Sequence, residues 1–446
     1  MKNIVIIPIN YDLNRGDQAL VWESVRLVKD TFCDDCVNCT IMSSLFDKDS
    51  EVQNRQTKEL GCNFITTILD HPGRRFTHKE KDSRSYSWQT ILGWGVQAVF
   101  DYLTTRPLLS KNSLIRRLGF VFLNGEKKKS FMIISKADAV FLKGGGFIHS
   151  FGSMTDPYFM YFSTFHFRLS TSLGKPTFVL PNSIGPLNNR IARRIATKAL
   201  CGCSLVTVRE MITKKYLDSI NVPSEYSPDL GFYLQPSSKD FSNYLKEIGV
   251  PLDKKKVVMT LRPYRFQGHT NGNELFNQYI DGMLGLVKHL LTKGYHVTFM
   301  AHTLGPSSHE DDRIALKDLM SRLKPEEIAM TSYIEDYELT CKDVEKIYSY
   351  FDFLVGTRFH SVIFALNVDV PAIAIAYGGN KGKGIMNVLG NDDYSIDIEN
   401  VSSQSLISMF DNLEVNRGVY INNLKERKAH LNEKRESLII SIKEKL

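Results

Sequence analysis

Asp352-Phe353-Leu354-Val355-Gly356-Thr357-Arg358-Phe359-His360 is the stretch on which the fold turns. An apolar run ends in glycine, and an arginine and a histidine follow at alternate positions where helical periodicity resumes. A continuous apolar run marks a strand buried on both faces, and a helix directly after it marks a parallel sheet. The same unit recurs outward from this point. In the second half, strands are expected at residues 257–261, 295–301, 352–356 and 371–377. They alternate with helices at 274–293 and 310–323 and with helices beginning near Arg358 and Lys381. In the first half, strands at 4–9, 138–143, 176–181 and 204–209 alternate with helices at 18–31, 158–173, 189–200 and 210–220.

This alternation predicts an α/β protein of two doubly wound, Rossmann-like domains facing across a cleft. The expected layout is an N-terminal domain over 1–232, a linker over 233–255, a second domain over 256–400 and C-terminal helices over 401–446. Ligands of such sheets sit at the carboxyl ends of the strands, so the site is sought there.

Composition narrows the class. Hydrophobic residues make up 43% and charged residues 24% of the 446-residue chain, a globular balance and not a disordered one. The most apolar stretch, 362–377, is broken by Asn367, Asp369 and Pro371, short of the roughly 18 residues a span needs. The N-terminus reads as a first strand and not as a leader, and a cytoplasmic chain with reduced thiols is expected. Among the seven cysteines, Cys33, Cys36 and Cys39 have a spacing that suits zinc or an iron–sulfur cluster. Without a companion pair nearby they are read as structural, and no metal is expected.

The net charge of +7 is concentrated: residues 71–130 carry +8 and the remainder −1. This basic insertion, about 71–135, interrupts the alternation and interleaves Trp88, Trp94, Phe100 and Tyr102 with its cations. Either it is a helical insertion with a solvated face, or it rests on an anionic membrane surface or a phosphorylated acceptor. The second reading places the chain peripherally on the inner face of the cytoplasmic membrane. No nucleic-acid fold signature accompanies the charge, so nucleic acid is not an expected partner.

Several strand ends carry chemistry. Asn14-Arg15-Gly16-Asp17 lies between the first strand and first helix, where Asp17 either caps the helix or accepts a sugar hydroxyl. Lys143-Gly144-Gly145-Gly146 lets a ligand approach the backbone closely, without the spacing of a phosphate-binding Walker loop. Asn182 and Ser183 follow the next strand, and Arg209 ends the one after it. In the second half, Arg358 offers a bidentate fork for carboxylate or phosphate, and His360 can deliver a proton. The alternative for that pair is a capping histidine and a surface arginine. Lys381 and Lys383 sit in a glycine-rich loop, and Arg262 and His302 at other strand ends are lesser candidates. Arginine, lysine and histidine without paired carboxylates describe anion handling.

Taken together, Asn14-x-Gly16-Asp17, Gly144-Gly145-Gly146, Pro181-Asn182-Ser183-Ile184-Gly185-Pro186, Val208-Arg209-Glu210, Ser227-Pro228-Asp229 and Gly356-Thr357-Arg358-Phe359-His360 resemble the polysaccharide pyruvyl transferase family. The run Pro371-Ala372-Ile373-Ala374-Ile375-Ala376-Tyr377 with Lys381 extends the likeness. Asn182 departs from it, since glutamine is usual there. The resemblance implies a fold like GT-B glycosyltransferases, with phosphoenolpyruvate as co-substrate, no other cofactor, and a sugar acceptor that is polymeric or lipid-linked. It implies Arg358 and His360 as catalytic residues. Arg209, Arg358, Gly145, Gly146, Ser183 and Lys381 would bind the donor, and Asp17, Asn14 and Asn182 the acceptor. Two rivals keep the fold: a glycosyltransferase using a nucleotide sugar, and a non-catalytic scaffold of a polysaccharide pathway.

Overall fold

The structure is a computed structural model and describes residues 1–7, 11–32, 37–43, 48–70, 88–266, 269–305, 310–377 and 381–446. The chain divides into two compact units, each assembled from separate stretches. The first comprises Met1–Asp12, Leu20–Leu230 and Lys434–Leu446; the second comprises Leu13–Ala19 and Gly231–Glu433.

The first unit is built on β1 (Lys2–Ile7), β2 (Val37–Ser43), β3 (Asn63–Thr66), β4 (Ala139–Leu142), β5 (Gly145–Ser150), β6 (Thr177–Leu187), β7 (Leu205–Val208) and β8 (Glu225–Tyr226). The strands lie in the order β3-β2-β1-β4-β6-β7-β8, with β5 also pairing β6, and every pairing is parallel. Ile4 to Ile7 of β1 and Ala139 to Leu142 of β4 pair in register and are all buried, as strands covered on both faces must be. The helix Arg190–Leu200 starts where Asn189 accepts from the amides of Ile191 (3.0 Å) and Ala192 (3.1 Å), satisfying two donors a helix start leaves open.

The second unit holds β9 (Lys256–Thr260), β10 (His296–Met300), β11 (Thr331–Ile334), β12 (Phe353–Gly356), β13 (Ala372–Ala376) and β14 (Ser395–Asp397). They are ordered β11-β10-β9-β12-β13-β14 and again all parallel. The helix Gly272–Thr292 lays Ile280, Met283, Val287 and Leu290 into the core, a three- and four-residue repeat. Residues 233–255, read as a linker, are packed within this unit: the Ser237 amide donates to the Lys342 carbonyl (3.0 Å), and Tyr350 Oη donates to Asp240 (2.6 Å). Chain order reverses between β9 and β12, the place where an open parallel sheet leaves a crevice.

The basic insertion is helical over its described part, as Trp88–Thr105, Arg106–Leu109, Ser113–Val121 and Gly125–Lys136. Its residues 71–87, with Arg74, Arg75, Lys79, Lys81 and Arg84, lie outside the described residues. Cys33 and Cys36 also lie outside them. Cys39 in β2 faces Cys62, which precedes β3; the shared hydrogen bond and burial push the Cys39 thiol up, and that bond lowers Cys62. Among the described residues no three His, Cys, Asp or Glu gather as metal ligands, and no helix is long and apolar enough to cross a membrane.

Candidate functional site

In the second unit, adjacent strands β10, β9 and β12 deliver their following residues to one edge: His302, Arg262 and Arg358 with His360. The Asp312 carboxylate organises them. Its Oδ2 accepts from the amides of His302 (3.1 Å) and Thr303 (2.9 Å), and its Oδ1 accepts from Arg358 Nε (2.8 Å) and lies 2.6 Å from Nη2. Both partners are buried, Asp312 at 0% and Arg358 at 6% exposure. Burial opposes the arginine's charge, but the carboxylate more than compensates and holds its pKa above the ordinary value. Burial raises the Asp312 pKa, while Arg358, the Thr303 amide and Arg262 pull it back. One carboxylate thus stands within the electrostatic reach of two guanidinium groups.

Arg262 stacks over the Tyr377 ring, its Cζ 4.4 Å from the centroid. His302 is buried, with Nδ1 3.3 Å from Tyr348 Oη. Burial, with the positive fields of His360, Arg358 and Arg15, drives its pKa well below the usual imidazole range. That environment disfavours the imidazolium form of His302.

The segment Leu13–Ala19 packs against this edge, within the same unit. Leu304 donates its amide to the Leu13 carbonyl (2.9 Å), Asn14 bridges Thr303, and the Arg15 amide donates to His302 (3.3 Å). Arg15 is fully buried, its Nη2 donating to the Asp336 carbonyl at 3.0 Å. Gly16 rests on the His360 imidazole so closely that a Cβ would stand 2.4 Å from Nδ1. Helix capping is done by Asn14, whose Oδ1 accepts from the Asp17 amide (3.3 Å), so the capping role considered for Asp17 belongs to Asn14.

The first-unit candidates form a second cluster. Asn182 and Ser183 lie inside the long strand β6, and Gly145 pairs with Asn182 in register because Gly145 and Gly146 open β5 instead of making a turn. Asn182 Nδ2 donates to the carbonyls of Lys143 (3.0 Å) and Leu180 (2.8 Å); its buried Oδ1 has no hydrogen-bond partner among the described residues. Arg209 is buried and donates from Nε to Ser183 Oγ (2.7 Å) and from Nη1 to Asp229 (2.5 Å). Glu210 accepts from Arg209 Nε (3.3 Å), from Thr213 (2.9 Å) and from Ser183. Burial opposes the Arg209 charge, and the two carboxylates outweigh it and raise its pKa. Any anion reaching this guanidinium competes with Asp229 and Glu210. Lys381 begins the helix Lys381–Val388, and residues 378–380 before it lie outside the described residues.

A family model described as polysaccharide pyruvyl transferase matches residues 14–379, from Asn14 through Arg209 and Asp312 to the strand after His360. The chain belongs to the polysaccharide pyruvyl transferase family. A curated relative, the amylovoran biosynthesis protein AmsJ of Erwinia amylovora, is 23% identical over 247 residues, 52% of this chain and 57% of that protein. The match thus spans just over half of the relative's length. Among solved structures, S. aureus MnaA with UDP is similar at TM-score 0.54 and 11% identity, covering 95% of this chain and 91% of that one. Phytolacca americana UGT2 is similar at TM-score 0.52 and 11% identity over 96% and 94% of the two chains. At such identities the likeness carries the fold alone: two Rossmann-like α/β units of the GT-B kind.

Arg262, His302, Arg358 and His360 share a place at strand ends that is visible in the sequence. Asp312 carries no such mark, being in sequence an ordinary acid in the first turn of a helix. Asn14-Arg15-Gly16-Asp17 is expected with the first domain by its position in the chain, whereas it belongs to the second unit.

Proposed function

We propose that the protein transfers the pyruvyl group of phosphoenolpyruvate to two hydroxyls of one sugar, in a polysaccharide or a lipid-linked oligosaccharide, forming a pyruvate ketal. The observation that carries this reading is the position of His360. It sits in the first turn of the helix Phe359–Asn367, two residues beyond the arginine that Asp312 holds, in a chain of this family.

The donor brings a carboxylate, a phosphate and a vinyl carbon. His360 protonates the methylene carbon, and the adjacent carbon becomes an oxocarbenium centre that one sugar hydroxyl attacks. Phosphate leaves, and the second hydroxyl closes the ring. Of the two hydroxyl protons, one returns to His360 in place of the proton delivered to the new methyl group, and the other leaves on the phosphate. Arg358 and Arg262 supply fixed positive charge for the donor's anionic groups, a role that needs no reorganisation when charge moves. Arg209 keeps Ser183 in place and meets the donor only by sharing with Asp229 and Glu210. Asn14, Asp17 and Asn182 are proposed acceptor contacts, and Gly145, Gly146 and Lys381 donor contacts. No further cofactor enters this scheme.

The test is turnover with phosphoenolpyruvate and pyruvyl-acceptor saccharides in deuterated water. Inorganic phosphate release with one deuterium in the new methyl group is expected. Thermal stabilisation by UDP-sugars with none by phosphoenolpyruvate overturns the reading in favour of nucleotide-sugar transfer.

A further inference from the structure

The two outer helices of the insertion wear their apolar residues on the wrong side for a core. In Trp88–Thr105, Leu92, Val96, Val99 and Leu103 repeat at four- and three-residue steps, and all are about 60% exposed or more. The opposite side of that helix is the one bound to the unit: Asp101 accepts from Tyr158 Oη (3.1 Å), and Thr105 Oγ1 lies 2.8 Å from Tyr161 Oη. In Ser113–Val121 the same step sets Leu114, Leu118 and Val121 outward, while Gly119 packs on buried Leu108. Each helix is therefore amphipathic with its apolar stripe in water, a costly arrangement that monomeric soluble surfaces avoid at this extent.

Exposed cations stand close in sequence to these stripes. Arg106, Lys111, Arg117 and Lys129 are exposed. Between residues 88 and 130 the acids are two, Asp101, buried at 3% exposure, and Glu126, exposed, against these four exposed cations. Apolar side chains that reach a few ångströms into acyl chains, with lysine and arginine at headgroup level, describe a helix lying in a membrane interface. A protein partner of ordinary composition would present both charge signs to such cations; a lipid surface presents one.

We propose that this face docks the protein on an anionic lipid bilayer, with the stripes of Trp88–Thr105 and Ser113–Val121 buried at the headgroup–acyl boundary. The docking is peripheral, consistent with the lack of any membrane-crossing helix among the described residues. It stands independently of the reaction proposed above.

The full-length protein is floated with phosphatidylcholine vesicles, with and without phosphatidylglycerol, at low and high salt. Binding that requires phosphatidylglycerol and weakens with salt is expected, since exposed cations are screened over roughly 8 Å at physiological ionic strength. Leu103→Glu with Leu118→Glu removes two apolar contacts and should lower partitioning at least tenfold. Arg117→Glu with Lys129→Glu, at two exposed positions, should abolish the preference for anionic lipid. The proposal is overturned if neither vesicle binds, or if both bind equally at all salts. It is equally overturned if sedimentation shows that the leucine variants instead dissolve a dimer of this chain while vesicle binding is unchanged.

Discussion

Gly16 and His360 are in van der Waals contact so close that the glycine is a requirement: a Cβ there would stand 2.4 Å from Nδ1 and 2.6 Å from Cγ of the imidazole. The helix start that carries Gly16 is in turn held by the Arg15 amide on His302. The proposed proton donor is therefore positioned by a segment at the far end of the sequence. Gly16→Ala must push the ring or the backbone aside, at about 1–3 kcal/mol of overpacking. Turnover is expected to fall at least tenfold while circular dichroism stays unchanged; an alanine variant with parental kcat shows that the ring has room to move without consequence.

His360→Gln keeps a polar side chain against Gly16 but has no titratable proton. Single-turnover ketal formation at saturating phosphoenolpyruvate should drop by roughly 100- to 10,000-fold, the range for a lost general acid. Donor affinity, read by calorimetry, should change only a few-fold. A rate within a few-fold of the parent moves the acid elsewhere.

Asp312→Ala strands the Arg358 guanidinium in a buried site. Loss of one partner of such a pair costs about 3–5 kcal/mol. Arg358→Met on top of Asp312→Ala removes the stranded charge and should recover a good part of that stability in urea unfolding. Additive losses in the two variants would show that the ion pair is not the coupling element.

Arg209→Lys tests the other cluster. A lysine has one compact head where the arginine bonds Ser183 from Nε and Asp229 from Nη1. Stability should fall by roughly 1–3 kcal/mol, with donor affinity following only as far as Ser183 is displaced. A variant as stable as the parent but blind to phosphoenolpyruvate would make Arg209 a direct donor ligand.

Acid sensitivity follows from buried imidazoles, with His166 and His296 joining His302. Nε2 of His166 accepts from the Ile68 amide (3.1 Å), and burial lowers its pKa from 6.5 to about 4. Burial lowers His296 to about 4 as well. A folded pKa below the unfolded one means the unfolded chain binds the extra proton. The contribution is complete above about pH 6.5 and drains away as pH falls toward about 4, by on the order of 3 kcal/mol for fully buried His166. His166→Gln, which can still accept from the amides, should flatten that acid limb. Superimposable stability profiles from pH 7 to pH 4 would contradict it.

The alternation of strands and helices was legible because it is written in neighbouring residues. Strands covered on both faces need continuous apolar runs, and 138–143, 204–209 and 352–356 in the sequence correspond to β4, β7 and β12 to within two residues at either end. Short or polar strands escaped: β3 (Asn63–Thr66) and β14 (Ser395–Asp397) carry too few apolar residues to stand out, and β5 hid behind its glycines. Residue types at the strand ends were equally local, so Arg262, His302, Arg358 and His360 could be named from sequence. What those side chains touch was not. Asp312 lies 46 positions from Arg358, and Arg15 lies 321 from the carbonyl it binds. Such partners meet only because β10, β9 and β12 become neighbours, and strand order is set by how crossovers pack, which no local periodicity encodes. The outward apolar stripes divide the same way: their spacing was present in the sequence, but spacing states only that one face is apolar. Packing of Asp101, Thr105 and Gly119 against the unit decided that this face meets the solvent.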